Sequence, residues 1–235
     1  MPSVAIVNVY RKTEGITVVA ELYREALVKA GFQTDFYQCI EGDAVDYANH
    51  DVMVKGFSFP NRYVEKGINR ALVFPFLLRK LTQDLVFLSD PWLLNLTMFK
   101  NNIVVLVHDL RLSTKYAENT AQSLLFKQVI SRLQNVMKII SISNVTRDSL
   151  ISMGINETKI VVLPHCTGLE IDGRNHISRS LSKIERGEPL NVVYVAHDIH
   201  YKQISLFIEI ACALTATEKH SKFHFTLPSN QPLRL

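Results

Sequence analysis

The sequence predicts an α/β protein: a Rossmann-like, doubly wound parallel sheet followed by a second, smaller domain of the same kind. Three observations carry this. Short apolar, β-branched runs alternate along the chain with stretches of helical period. The run IVVLV at 103–107 contains no polar residue, as a strand covered on both faces requires. Finally, Lys138–Pro164 (KIISISNVTRDSLISMGINETKIVVLP) reads as strand, short helix and strand joined by tight turns, a βαβ unit that makes the sheet parallel.

The elements follow in order. Val4–Val9 is a near-continuous apolar strand. A helix is predicted over Thr17–Lys29, with Val18, Leu22, Ala26 and Leu27 on one face and Gly31 just past its end. Phe32–Tyr37 and Val52–Phe57 read as strands. Tyr63–Leu81 is helical apart from a kink or break at Pro75, which cannot donate a backbone hydrogen bond. Leu85–Ser89 is a strand, Pro91 opens a short helix, and Ala117–Val136 is a long amphipathic helix. Ile139–Ser143 is then a buried strand, with Asn144 offered as the helix cap. Val145, Leu150, Ile151 and Met153 supply the apolar side of that helix, and Gly154 closes it. Ile160–Leu163 is a second buried strand, stopped by Pro164.

Beyond that point the composition turns polar. Residues 167–189 read as a linker, separating an N-terminal domain at 1–166 from a reduced C-terminal domain at 190–235. The latter comprises a strand at Asn191–Ala196, a helix at Gln203–Thr217 and a strand at Lys222–Leu227.

With 47% hydrophobic and 20% charged residues, 235 residues can bury a real core. The formal net charge of +4 is compatible with anionic ligands but selects none of them. Basic residues are not interleaved with aromatics in a block, which argues against nucleic acid. Three cysteines at distant spacings form no CxxC pair and no zinc pattern, so reduced thiols in a cytoplasmic protein are expected, with no metal. Neither a signal peptide nor a membrane span of about 18 apolar residues is evident. GxGxxG, P-loop and GxSxG motifs are missing, which counts against dinucleotide, NTPase and serine-hydrolase chemistry. Arg70–Leu81 (RALVFPFLLRKL) reads as a core helix around a proline, or as a segment docking on an anionic leaflet.

Open α/β sheets bind ligands at the carboxyl ends of their strands. Residues following the strands include Gly15 after strand one, Asp90 after Ser89, and His108 with Asp109 after Val107. Ser143 and Asn144, His165, and His197 with Asp198 complete the edge. An imidazole beside a carboxylate, at 108–109, suits proton handling or hydrogen bonding to sugar hydroxyls. Adjacent residues of a strand face opposite ways, however, so the two need not act as a pair. Lys202 opens a helix, where the positive macrodipole disfavours a cation unless an anion such as a phosphate is bound.

These residues resemble a known family. Ser143, Thr146, Arg147 and Leu150, then Lys159, Ile160, Val162 and Pro164, match a segment of the GT-B retaining glycosyltransferases (group 1, family 4-like). The V-x-x-x-H-D-L pattern ending in His108, Asp109 and Leu110 is similar as well. The resemblance implies the GT-B type of fold: two Rossmann-like domains, here with the second one truncated. It implies transfer of a sugar, with retention, from a nucleotide-sugar such as a UDP- or GDP-sugar to an acceptor hydroxyl on a glycan, lipid or protein, with no cofactor or metal. His108 and Asp109 would be catalytic, while Gly15, Ser143, His165, His197 and Lys202 would hold the donor and its phosphates. His197 stands where family members carry Arg and Ala196 where Gly is usual, which weakens the diphosphate grip. The family's paired glutamates, deep in the C-terminal domain, have no counterpart here. A natural minimal form, a fragment, and a cleft completed by a partner or a second copy all fit. The alternative reading is a non-catalytic nucleotide-sugar or glycan-binding module completed by a partner chain. Peripheral membrane contact and homo-oligomers are both compatible with the sequence.

Overall fold

A computed structural model describes residues 1–9, 15–41, 51–108, 120–165, 191–195, 204–217 and 222–226. It divides into two compact units, Met1–Gly168 and Leu169–Leu235. The first is built on a seven-stranded, wholly parallel sheet in the order β3-β2-β1-β4-β5-β6-β7. Its strands are β1 (Ser3–Val9), β2 (Gln33–Ile40), β3 (Val52–Lys55), β4 (Leu85–Leu88), β5 (Ile103–Val107), β6 (Lys138–Ser141) and β7 (Ile160–Val162). The helices are α1 (Gly15–Lys29), α2 (Arg62–Ile68), α3 (Phe74–Leu78), α4 (Thr120–Leu133) and α5 (Asn144–Ser152).

Alternation along β1 sorts its side chains between two cores. Val4 and Ile6 join Phe36, Phe87 and Leu106 beneath Ala20, Val19, Tyr23 and Leu27 of α1. Ala5, Val7 and Val9 join Leu88, Val105 and Ile139 on the other face, against Phe74, Leu78, Leu133 and Leu150. The helix before β2 and those after β3 thus cover opposite faces, which places the topological switch point between β1 and β4.

Several local readings need correction. The buried stripe of α1 is Val19, Ala20, Tyr23 and Leu27, whereas Val18 and Ala26 face water. The cap of α5 is Ser143, whose Oγ accepts from the Thr146 N–H at 3.1 Å; Asn144 is the first helical residue. Val145 is exposed, so the core contact of α5 comes from Leu150. Among the described residues β7 is an edge strand, paired with β6 alone, and its Val161 is exposed.

Pro75 does not break its segment, which stays helical from Arg62 to Leu78. The helix widens one turn earlier into a π-helix, Asn69–Val73, in which Phe74 N–H donates to the carbonyl five residues back, that of Asn69. The Ala71 carbonyl, four residues before Pro75, would have lacked a donor; the Asn95 amide supplies one at 2.8 Å. Asn95 lies in the 3₁₀ helix Pro91–Met98, which Asp90 caps by accepting from Trp92 N–H at 2.7 Å. Arg70, in the π turn, makes a two-pronged ion pair with Glu41, both side chains being nearly buried.

The second unit contains β8 (Asn191–Val195) and β9 (Lys222–Thr226), paired in parallel and connected through α6 (Ile204–Thr217). The predicted linker at 167–189 lies outside the described residues. Among the described residues no helix is long and apolar enough to cross a membrane.

Candidate functional site

Polar side chains line up along the carboxyl edge of the sheet at its switch point. Asn8, one residue before the end of β1, is fully buried and interrupts the apolar run Val4–Val9. Its Oδ1 accepts from Ser89 Oγ at 2.6 Å, and its Nδ2 donates to Thr17 Oγ1, in the first turn of α1, at 3.1 Å. Ser89 directly follows β4, and its N–H donates to the Val7 carbonyl, locking the two strand ends together. The Ser89 carbonyl in turn accepts from His108 Nε2 at 3.0 Å. His108 Nδ1 then meets His165 Nε2 at 2.9 Å, with ring centroids 4.9 Å apart. One connected path therefore runs from α1 through the ends of β1, β4 and β5 to His165, three residues past β7.

Backbone geometry explains how two histidines 57 residues apart meet. Leu163 N–H continues the ladder by donating to the Ser141 carbonyl at 2.8 Å. Pro164 then ends the pairing, so His165 leaves the sheet at its edge and reaches back over the end of β6.

The tautomers follow from this arrangement. A carbonyl oxygen only accepts, so His108 carries its proton on Nε2. When His108 is neutral its Nδ1 is a lone pair, which must be met by an Nε2–H of His165. That leaves the Nδ1 of His165 as an unprotonated acceptor, buried and without a hydrogen-bond partner among the described residues. Burial also holds the His165 pKa below its ordinary 6.5, which favours this neutral form. The pair is thus a directional wire, with a basic nitrogen at one end and a backbone carbonyl at the other.

Gln38 adds a second unusual feature. It stands in register with Asn8 and is fully buried, yet neither amide atom has a partner among the described residues. Buried carboxamides are normally satisfied, so a side chain like this marks a polar position in the edge rather than ordinary core.

Of the predicted site residues, the fold brings His108 and His165 into direct contact. Gly15 is the first residue of α1, in open space, with nothing within 4 Å of where a Cβ would stand. Ser143 sits at the end of β6, its hydroxyl engaged with Thr146 N–H and Thr146 Oγ1. Asp109, His197 and Lys202 lie outside the described residues. Sequence reading passed over Asn8, Thr17 and Gln38; a single carboxamide inside AIVNV was the available signal for the first. Among the described residues no group of three His, Cys, Asp or Glu could hold a metal. Cys39 is buried in the sheet, where desolvation and the nearby Glu41 push its thiol pKa well up, so it is no nucleophile.

A separate cleft of about 280 Å³ opens among α2, the π turn, the 3₁₀ helix and α4. Arg70, Trp92, Leu94, Val129 and Arg132 are among its walls, and it shares no residue with the histidine network.

Comparison with known proteins adds the fold's relatives. No family model matches the chain, and no curated protein matches it by sequence. Solved structures do. The apo form of WaaB, a lipopolysaccharide outer core galactosyltransferase, superposes with a TM-score of 0.61 at 12% identity, covering 97% of this chain and 62% of that one. The UDP-GlcNAc 2-epimerase of Methanocaldococcus jannaschii gives 0.58 at 13% identity, covering 97% and 66%. Anabaena HepE in complex with UDP and glucose gives 0.50 at 12% identity, covering 96% and 69%. The chain therefore spans 62–69% of the length of these three proteins. At such identities the likeness shows the fold: an α/β, Rossmann-like architecture of the kind seen in GT-B glycosyltransferases and UDP-GlcNAc 2-epimerases.

Proposed function

We propose that this chain acts on a nucleotide-sugar and transfers the sugar, with retention, to an acceptor hydroxyl. The observation that carries the proposal is the His108–His165 pair, with its unpartnered His165 Nδ1, on the ligand-binding edge of this fold. The His165 nitrogen accepts a hydrogen bond from a sugar hydroxyl. A proton taken there is relayed by shifting the Nε2–H onto His108 Nδ1, where the Ser89 carbonyl steadies the resulting imidazolium. His108 orients the reacting sugar, and Asp109 is its proposed companion. On the donor side, Lys202, His197 and the N-terminal end of α6 would stabilise the leaving diphosphate electrostatically, as the family-4-like reading implies. No cofactor or metal is required in this scheme.

Epimerisation of a nucleotide-sugar is the second reading. The same unprotonated nitrogen would serve as the base that removes a proton from carbon, and epimerases share the fold. Incubation with UDP- and GDP-sugars, with and without glycan and lipid acceptors, separates the readings by product. Transfer or donor hydrolysis, lost with His108→Ala, supports the first; an epimeric nucleotide-sugar supports the second. Binding without turnover, indifferent to His108→Ala, would leave only the non-catalytic module.

A further inference from the structure

We propose that the outer face of Arg62–Leu78, the α2–π–α3 segment, docks on an anionic lipid bilayer. Its inner face is ordinary core: Phe74, Pro75 and Leu78 are buried. The outer face is not. Leu72 is 65%, Phe76 55% and Leu77 47% exposed, an uncommon concentration of large apolar groups on one short segment. Leu72 and Phe76 are four residues apart and so are neighbours across the turn that leads from the π-helix into α3. The widening forced by Pro75 inserts an extra residue into that turn, so the outward row comes from the same device that keeps the helix unbroken.

Charge selects the occupant. Residues 52–83 contain six basic side chains and a single acidic one, Glu65; Arg70 is buried against Glu41, whereas Lys55, Lys66, Arg79 and Lys80 are exposed or half-exposed. That carboxylate is buried and accepts the Phe59 N–H at 2.9 Å, so it adds no negative charge to the surface. The Arg79 guanidinium lies 3.4 Å over the Phe76 ring, and Lys80 follows it. A cation stacked on an exposed aromatic, with further basic residues flanking aliphatic ones, matches the depth profile of a bilayer surface: rings and aliphatics at the acyl boundary, ammonium and guanidinium groups among phosphates. A protein partner for such a face would need an acidic rim around an apolar centre, whereas an anionic leaflet presents both layers everywhere. The proposal is independent of the nucleotide-sugar reading, since it uses none of the edge residues.

The test is co-sedimentation of the full chain with extruded vesicles of phosphatidylcholine alone, or with roughly one-third phosphatidylglycerol, at low and high salt. Selective, salt-sensitive retention on the anionic vesicles is expected. Arg79→Glu with Lys80→Glu should weaken partitioning by about fivefold or more per charge, and Leu72→Ser with Phe76→Ser by roughly tenfold or more. Leu72, Phe76 and Lys80 are exposed and Arg79 half-exposed, so unchanged circular dichroism melts should accompany the losses. Equal retention on both vesicle types, or retention untouched by either double variant, would overturn the proposal. So would a concentration-dependent dimer in light scattering that Phe76→Ser abolishes, because a second copy would then be the occupant.

Discussion

Asn8→Ala tests whether the edge network is a built feature or a set of incidental contacts. Asn8 is fully buried, accepts from Ser89 Oγ at 2.6 Å and donates to Thr17 Oγ1 at 3.1 Å. Removing the carboxamide deletes two hydrogen bonds of about 1 kcal/mol each. It also leaves the Ser89 hydroxyl buried with its acceptor gone, a penalty of about 1–3 kcal/mol. Thr17 is half-buried and recovers its bond to water, so its share is small. The loss should fall at about 2–4 kcal/mol, or roughly 4–16 °C in Tm for a protein of this size. Urea unfolding measures it, with an unchanged m-value showing that the denatured state is unaffected. Because the two groups touch, Asn8→Ala with Ser89→Ala should cost less than the sum of the single changes, with a coupling of about 1 kcal/mol. A loss under about 0.5 kcal/mol, or strict additivity, would refute a desolvated network there.

Three further outcomes follow from the same structure. Arg70→Met alone should cost about 3–5 kcal/mol because it strands the nearly buried Glu41, and adding Glu41→Leu should restore most of it; thermal melts of the single and double variants decide. Ser143→Ala should cost about 1 kcal/mol through the lost cap of α5, whereas Ser143→Asn should not, as read from urea midpoints. His165 has a folded-state pKa below the unfolded 6.5, so the folded form binds the proton less readily. Its contribution is present above pH 6.5 and lost as pH falls through the folded value, and His165→Gln should flatten that acid limb in a series of Tm measurements against pH.

Much of the architecture was legible because it depends on local signals. IVVLV had to be a doubly covered strand, and Gly31 and Gly154, both with positive φ, had to follow helices. The parallel sheet followed from the spacing of the elements. Readings failed where tertiary context decides between near-equal local choices. Ser143 and Asn144 are both good caps, and the end of β6 chose the first. Val18 and Val19 fit an apolar stripe equally well until β1 and β2 fix the rotation of α1. Pro75 announced a disturbed helix, but the π turn depends on Asn95, 24 residues from the carbonyl it satisfies.

The candidate site was half legible for a related reason. His108 and His165 could be placed on one edge by counting strands, yet their contact depends on β7 being the outer strand and on Pro164 ending it. Asn8 and Gln38 lie inside strands, where sequence reading expects apolar residues and looks for function only in the loops beyond.

The most direct test of the central claim is long-range ¹H–¹⁵N NMR of the His108 and His165 rings, before and after adding UDP- or GDP-sugars. The expected result is that both rings carry their proton on Nε2 in the free protein at neutral pH, and that the His165 Nδ1 resonance shifts, saturably, when the right nucleotide-sugar binds. A His165 ring protonated on Nδ1 in the free protein, or saturable nucleotide-sugar binding that moves neither ring, would contradict the claim.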